Sequence, residues 1–320
     1  MFKKISEALG IKQNILICCY GKLPIYKDFI FVGTDAREAY HFKEWMDGEF
    51  EREWNENPST TSFAPHRILM TFPQQRNVVI ASIWDSFDTG GLRRFPFAFF
   101  VMLPRNALNN TISNLLPVWE YMEKCYGSCK EIKNISEFYN KYRGLTMEMN
   151  GVNKDIFKAL QDEKMKVLID GLFKENNEKQ WGNLLQDIFT VFSLPQMLKN
   201  REPEIALRLP LACSMNIPVQ VDAWMRFIKQ NFPQPLPIPT LFFPQQDATV
   251  FSILWRAPRQ EDVKLLGEDI GEYEHILDLT QPRRDGECDT TVSIPETLAG
   301  FSMSTIGQLI RLKEESACEY

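Results

Sequence analysis

Two short segments hold most of the polar residues able to do chemistry. The first reads Gly21-Lys22-Leu23-Pro24 and runs on to Asp28 and Phe29; the second carries Asp85, Ser86, Asp88, Arg93, Arg94, Phe95 and Pro96. A Gly-Lys pair after a strand invites comparison with a phosphate-binding loop. No glycine-rich loop precedes Gly21, however, and Leu23 stands where a Ser or Thr would hold magnesium. A dinucleotide fingerprint is absent as well. The three histidines, His41, His66 and His275, have no nucleophile at motif spacing, and neither GxSxG nor HExxH occurs. A Cys18–His66 pair assembled by folding stays open, although a cysteine in an apolar strand is normally inert.

The seven cysteines are odd in number and spread along a long chain, which favours reduced thiols. Cys18 and Cys19 fall inside an expected strand, one side chain to each face. Cys125 and Cys129 lie four apart with no matching pair downstream, whereas a structural zinc site wants two such pairs. Buried small hydrophobes are therefore expected, with no metal and no cofactor. The carboxylates Asp28, Asp85 and Asp88, with Arg93 and Arg94, flank turns at strand ends. They form either a recognition surface or an ion-paired brace in which an aspartate caps a turn and an arginine holds loop against loop.

The elements that must position these groups are legible in outline. A length of 320 residues suggests roughly two domains. Hydrophobic content of 44% and aromatic content of 12% imply an aromatic-rich core. A net charge of −6 without a basic stripe argues against nucleic acid. The apolar run 95–103 is too short to span a bilayer and 15–20 too short for a secretory signal, so a soluble, cytoplasmic protein is expected.

Residues 15–20 read as a strand closed by the Gly21–Pro24 turn. Asp35 with Glu38 resembles a capping box opening a helix whose Ala39, Phe42, Met46, Phe50 and Trp54 recur at helical spacing. Strands follow at 67–72, 78–84 and 95–103, the last two joined through Asp88-Thr89-Gly90-Gly91, where glycine permits a positive φ. Helical patterns come at 113–126, 136–142, 154–173 and 180–198, the last broken at Pro195, with 174–179 a polar connection. Beyond Pro203 strands are expected at 205–211, 240–243 and 249–255, a helix at 221–232, an extended proline-rich segment at 233–239, a loop at 282–289 and a short helix at 303–313.

The segment 72–84 echoes 243–255 around a shared Phe-Pro-Gln-Gln, and each has a Trp-Met helix upstream (Trp45-Met46 and Trp224-Met225). A diverged duplication and two independently similar hairpins both account for this. The pattern predicts an α+β protein: an antiparallel sheet flanked by helices, a helical middle region and a second, smaller α/β C-terminal part. Residues 1–145 would form the N-terminal domain, and 146–320 a helical plus α/β region of the same or a second domain.

Four ordered matches resemble the TagF (ImpM) family of bacterial type VI secretion. Its GKLPxxGDF segment is similar to residues 21–29, its Trp-containing helix to Trp45, its strand entry to Ala64-Pro65-His66-Arg67, and its SxDxxGRxFP turn to 86–96. The resemblance covers about the first third of the chain, 15–105. Farther on, only Arg208-Leu209-Pro210, Trp224 and Thr240-Leu241-Phe242-Phe243 share its texture. Lys27 stands where the family has Gly, and Leu92 lengthens the second turn by one residue.

The resemblance implies a cytoplasmic, non-enzymatic regulator that represses type VI secretion after translation by binding a protein of that system. The candidate partner is the forkhead-associated scaffold of the threonine-phosphorylation pathway. The surface implied lies around the Asp28 and Arg93 loops. The motif residues are Gly21, Lys22, Leu23, Pro24, Asp28, Phe29, Trp45, Ser86, Asp88, Arg93, Arg94, Phe95 and Pro96. Two alternatives are an architectural subunit of the apparatus and a hydrolase with a Cys or carboxylate site.

Overall fold

The computed structural model describes residues 13–56, 63–91, 93–108, 112–149, 206–211, 217–231, 238–246, 249–267 and 276–278. Its strands are β1 (Gln13–Leu16), β2 (Cys18–Gly21), β3 (Ile30–Val32), β4 (His66–Thr71), β5 (Asn77–Trp84), β6 (Phe97–Pro104), β7 (Thr146–Met149), β8 (Ala206–Pro210), β9 (Thr240–Pro244), β10 (Val250–Leu254) and β11 (Ile276–Asp278). Four α-helices are described: α1 (Arg37–Glu56), α2 (Leu116–Cys129), α3 (Ile135–Tyr142) and α4 (Ile217–Asn231). The chain divides into two units. One holds Met1–Val152 with Ile238–Gln246 and Arg256–Tyr273, and the other holds Asn153–Pro237, Asp247–Trp255 and Glu274–Tyr320.

In the first unit the strands run in the order β9-β4-β5-β6-β2-β3. Every pairing among them is antiparallel. The expected α+β class, an antiparallel sheet flanked by helices, is what the chain forms. Strands β4, β5 and β6 are buried almost throughout, because helices cover both faces. Successive side chains alternate between those faces. Phe100 packs against Phe42 of α1, ring centroids 4.9 Å apart, while its neighbour Phe99 meets Tyr142 of α3 at 5.1 Å. In the same way Phe242 faces Trp45 of α1, and Phe243 faces Trp119 of α2. Truncating any of these buried rings to Ala would cost about 3–5 kcal/mol.

The single strand expected at 15–20 is two strands. β1 leaves to pair with β7 in a separate two-stranded sheet, and β2 joins the main sheet between β6 and β3. Ile17 is the junction, its N–H bonded to Leu145 O at 2.9 Å. The capping box expected at Asp35 and Glu38 does not form. Helix α1 starts at Arg37, with Tyr40 N donating to Ala36 O at 3.2 Å. Glu38 turns into the protein and accepts from Asn77 N at 3.2 Å and Asn77 Nδ2 at 3.0 Å. The N–H that opens β5 thereby has an acceptor.

In the second unit β8 pairs antiparallel with β10 and parallel with β11. Helix α4 starts four residues before its expected position, because Pro218 fits the first turn, where no N–H is needed. Its Trp224 Nε1 donates to Pro210 O at 2.9 Å. The expectations for 154–173, 174–179, 180–198, 233–237, 282–289 and 303–313 lie outside the described residues. Among the described residues no helix is long and apolar enough to cross a membrane.

Candidate functional site, two motif turns at one end of the sheet

Strand β2 ends at Gly21, whose φ of +132° lies in the region that favours glycine. A Cβ placed there would sit 2.0 Å from Pro96 O, so only glycine allows β2 to approach the entry to β6. Lys22 N then donates to Pro96 O at 3.4 Å. Tyr26 N donates to Leu23 O at 3.1 Å, closing a β-turn with Pro24 at its second position, where its fixed φ suits the geometry. The chain returns as β3, so this motif is the loop of the β2–β3 hairpin. Leu23 and Lys22 are buried and Pro24 is exposed. The Lys22 ammonium lies over the Phe29 ring, 4.6 Å from its centroid.

The second motif is the loop between β5 and β6. Phe95 N bonds to Ser86 O and Asp88 N to Arg93 O, both at 3.1 Å, and Phe87 bridges Arg94. The loop is therefore a small antiparallel extension, turned at Gly91 with a φ of +65°. Asp88 organises it from inside. Its buried carboxylate accepts from Gly90 N at 3.1 Å, Arg93 N at 3.4 Å and Arg93 Nε at 2.7 Å. Arg94 pairs with Asp85 on the other side.

These two loops touch. Thr89 N donates to Tyr26 O at 3.2 Å, and Arg93 Nη2 donates to Lys27 O and lies 3.9 Å from the Asp28 carboxylate. Lys27, placed where the resembling family has Gly, has no positive φ, so its side chain costs the backbone nothing. Arg93 pins loop to loop, yet its side chain stays 55% exposed and that of Asp28 56%. Beneath them Tyr20, Phe29 and Phe95 form an aromatic cluster, with Phe29 and Phe95 edge to face at 4.7 Å. Tyr20 Oη donates to Asp47 of α1. Trp45 lies within the core instead, among Phe42, Phe50 and Phe242, and connects to the cluster through Phe50.

A Cys18–His66 dyad is not assembled. Strands β5 and β6 separate β4 from β2, so at least about 14 Å, three strand spacings, lies between the two residues. His66 Nδ1 is bonded to Ala64 O at 2.6 Å. Burial pushes the Cys18 thiol up to about 12, Cys125 to about 11 and Cys129 to about 12, and Cys19 rises too. Cys129 Sγ donates to Cys125 O at 3.3 Å, and Tyr142 Oη donates to the same carbonyl at 2.8 Å. These thiols stay protonated near neutral pH and behave as small core residues. Among the described residues no group of three His, Cys, Asp and Glu is placed to hold a metal.

Two polar braces escaped sequence reasoning. Arg67, inside β4, makes a forked pair with Glu123 of α2 at 2.7 and 3.0 Å. Arg256 is bidentate to Asp262 at 2.6 and 2.7 Å, both groups buried, and Asp262 also accepts from Arg259 N. An arginine amid an apolar run was the available signal for the first.

No protein-family model and no curated protein matches the chain. The crystal structure of PA0076 from Pseudomonas aeruginosa PAO1 is similar at 19% identity and a TM-score of 0.31, over 38% of this chain and 59% of that one.

Proposed function

We propose that the chain is a cytoplasmic accessory protein that represses type VI secretion after translation by binding a protein of that system, without catalysis. The support is the ordered TagF-like motif set, together with one observation: the two principal motifs form a single bonded unit at one end of the sheet. Arg93 carries the most weight. It is anchored through Nε and Nη2, and its side chain stays largely exposed. An anchored guanidinium loses little freedom on pairing with a partner's carboxylate or phosphate.

The proposed partner is the forkhead-associated scaffold. Purified protein should retain that scaffold from a matched cell lysate, and deletion of the gene should raise secretion. Substitution of Arg93 and Arg94 by Ala should abolish retention while the far-ultraviolet circular dichroism spectrum is unchanged. Wild-type protein that leaves the scaffold in the flow-through, with secretion unaltered by deletion, would sink the proposal. Stoichiometric co-purification with assembled apparatus would favour an architectural subunit.

A further inference from the structure

The loop between β5 and β6 carries one side chain that neither the core nor the contacts between the motif turns use. Phe87 and Arg94 stand directly opposite each other in the short ladder of that loop. The flanking bonds, Phe95 N to Ser86 O and Asp88 N to Arg93 O, make them a non-hydrogen-bonded pair, the kind whose side chains lie closest. Alternation across this ladder sends Asp88 and Arg93, which bond to each other, to one face, and Phe87 with Arg94 to the other. Burial follows the same rhythm. Ser86 and Asp88 are buried, while Phe87 between them is 45% exposed.

Three large hydrophobic side chains are exposed among the described residues: Phe31, Tyr40 and Phe87. Phe31 meets the ring of Tyr20, and Tyr40 meets that of His41. Phe87 meets no ring among the described residues. Hydrophobic stabilisation follows the apolar area removed from water, so a ring left half in water gains the rest only when something covers it. Its surroundings allow that. Thr89, Gly90 and Gly91 at the loop's tip are exposed and small, and the charge of neighbouring Arg94 is already balanced by Asp85. On the opposite face of the same loop Arg93 is also exposed. An aromatic ring and an arginine at one tip are the residue types in which binding energy concentrates at protein interfaces.

We propose that Phe87 is the apolar anchor of the motif edge, entering an apolar pocket of the scaffold protein named above while Arg93 makes a polar contact at its rim. Phe87 has this role only if the motif edge binds that scaffold, so it rests on the functional reading. The division of labour is physical. A ring already held by an extended backbone has two side-chain torsions to fix and gives up little freedom when covered. The anchored guanidinium sets the orientation of the docked partner.

The test uses the full-length chain and the purified scaffold protein in biolayer interferometry at low and at high salt. Phe87→Ala should weaken binding at least about tenfold, and by the same factor at both salt concentrations, because an apolar contact is not screened. Phe87→Leu keeps an apolar side chain and should bind close to the wild type. Phe31→Ala removes a ring of similar exposure from a different strand and should leave binding unchanged. The melting temperature of Phe87→Ala should match that of the wild type. Binding by Phe87→Ala within about twofold of the wild type overturns the anchor and leaves the functional reading standing. Binding lost only together with a lowered melting temperature, or lost equally in Phe31→Ala, overturns it as well. Wild-type chain that does not bind the scaffold refutes the functional reading, and the anchor falls with it.

Discussion

Replacing Asp88 with Ala asks whether the shared edge of the two motif turns is held from within. The carboxylate accepts two backbone N–H groups, from Gly90 and Arg93, and the Arg93 Nε at 2.7 Å. Each backbone bond contributes about 1 kcal/mol, less for Gly90 because water can replace the acceptor at an exposed residue. The Arg93 pair would be worth more if buried, but a guanidinium 55% exposed holds its share to about 1 kcal/mol or below. The sum is a loss of about 2–3 kcal/mol, or a fall in melting temperature of roughly 4–12 °C for a unit of this size.

Far-ultraviolet circular dichroism during a thermal melt, with urea titration followed by tryptophan fluorescence, measures both quantities. A loss under about 0.5 kcal/mol would refute the reasoning, since it would mean that water serves the loop as well as Asp88 does. Arg93→Ala is the companion variant and should cost about 1 kcal/mol or less. A double-mutant cycle between the two positions should give a coupling of about 1 kcal/mol. Partner binding lost in Arg93→Ala at near-native stability reports a surface, whereas the same loss in Asp88→Ala reports the loop's shape.

Gly21→Ala should destabilise by at least about 2 kcal/mol in urea, because it combines a φ of +132° with a Cβ 2.0 Å from Pro96 O. Asp262→Ala should cost about 3–5 kcal/mol by leaving Arg256 buried and unpaired, and the double change Arg256→Met with Asp262→Leu should recover most of it. Stability should also fall as pH rises from about 9 towards 12. There the unfolded thiols, with the ordinary value of 9.0, have lost protons that folded Cys18 and Cys129, held near 12, still bind. The urea midpoint measured from pH 7 to 11 checks the sign, and Cys18→Ala with Cys129→Ala should flatten the slope. Iodoacetamide at pH 8 should label Cys18, Cys19, Cys125 and Cys129 only at the rate of unfolding.

The amino-acid sequence determined the local facts. Apolar runs at 67–72, 78–84 and 95–103 marked the strands that form at His66–Thr71, Asn77–Trp84 and Phe97–Pro104, helical spacing after Asp35 and over 113–126 marked the helices that begin at Arg37 and Leu116, and Gly91 and Pro24 announced their turns. Each of these depends on a few neighbouring residues and their steric limits. Strand order does not. Residues 18–21 meet 97–100 across nearly eighty positions, and only that pairing carries the Gly21 turn to the Asp88 loop. The same long-range packing split 15–20 at Ile17, drew Glu38 away from a helix cap to Asn77, buried Trp45 in the core and set Cys18 apart from His66. Local periodicity tells which face of an element is apolar. The partner that covers that face is chosen by the whole chain competing for burial, so the site became visible only once the sheet was assembled.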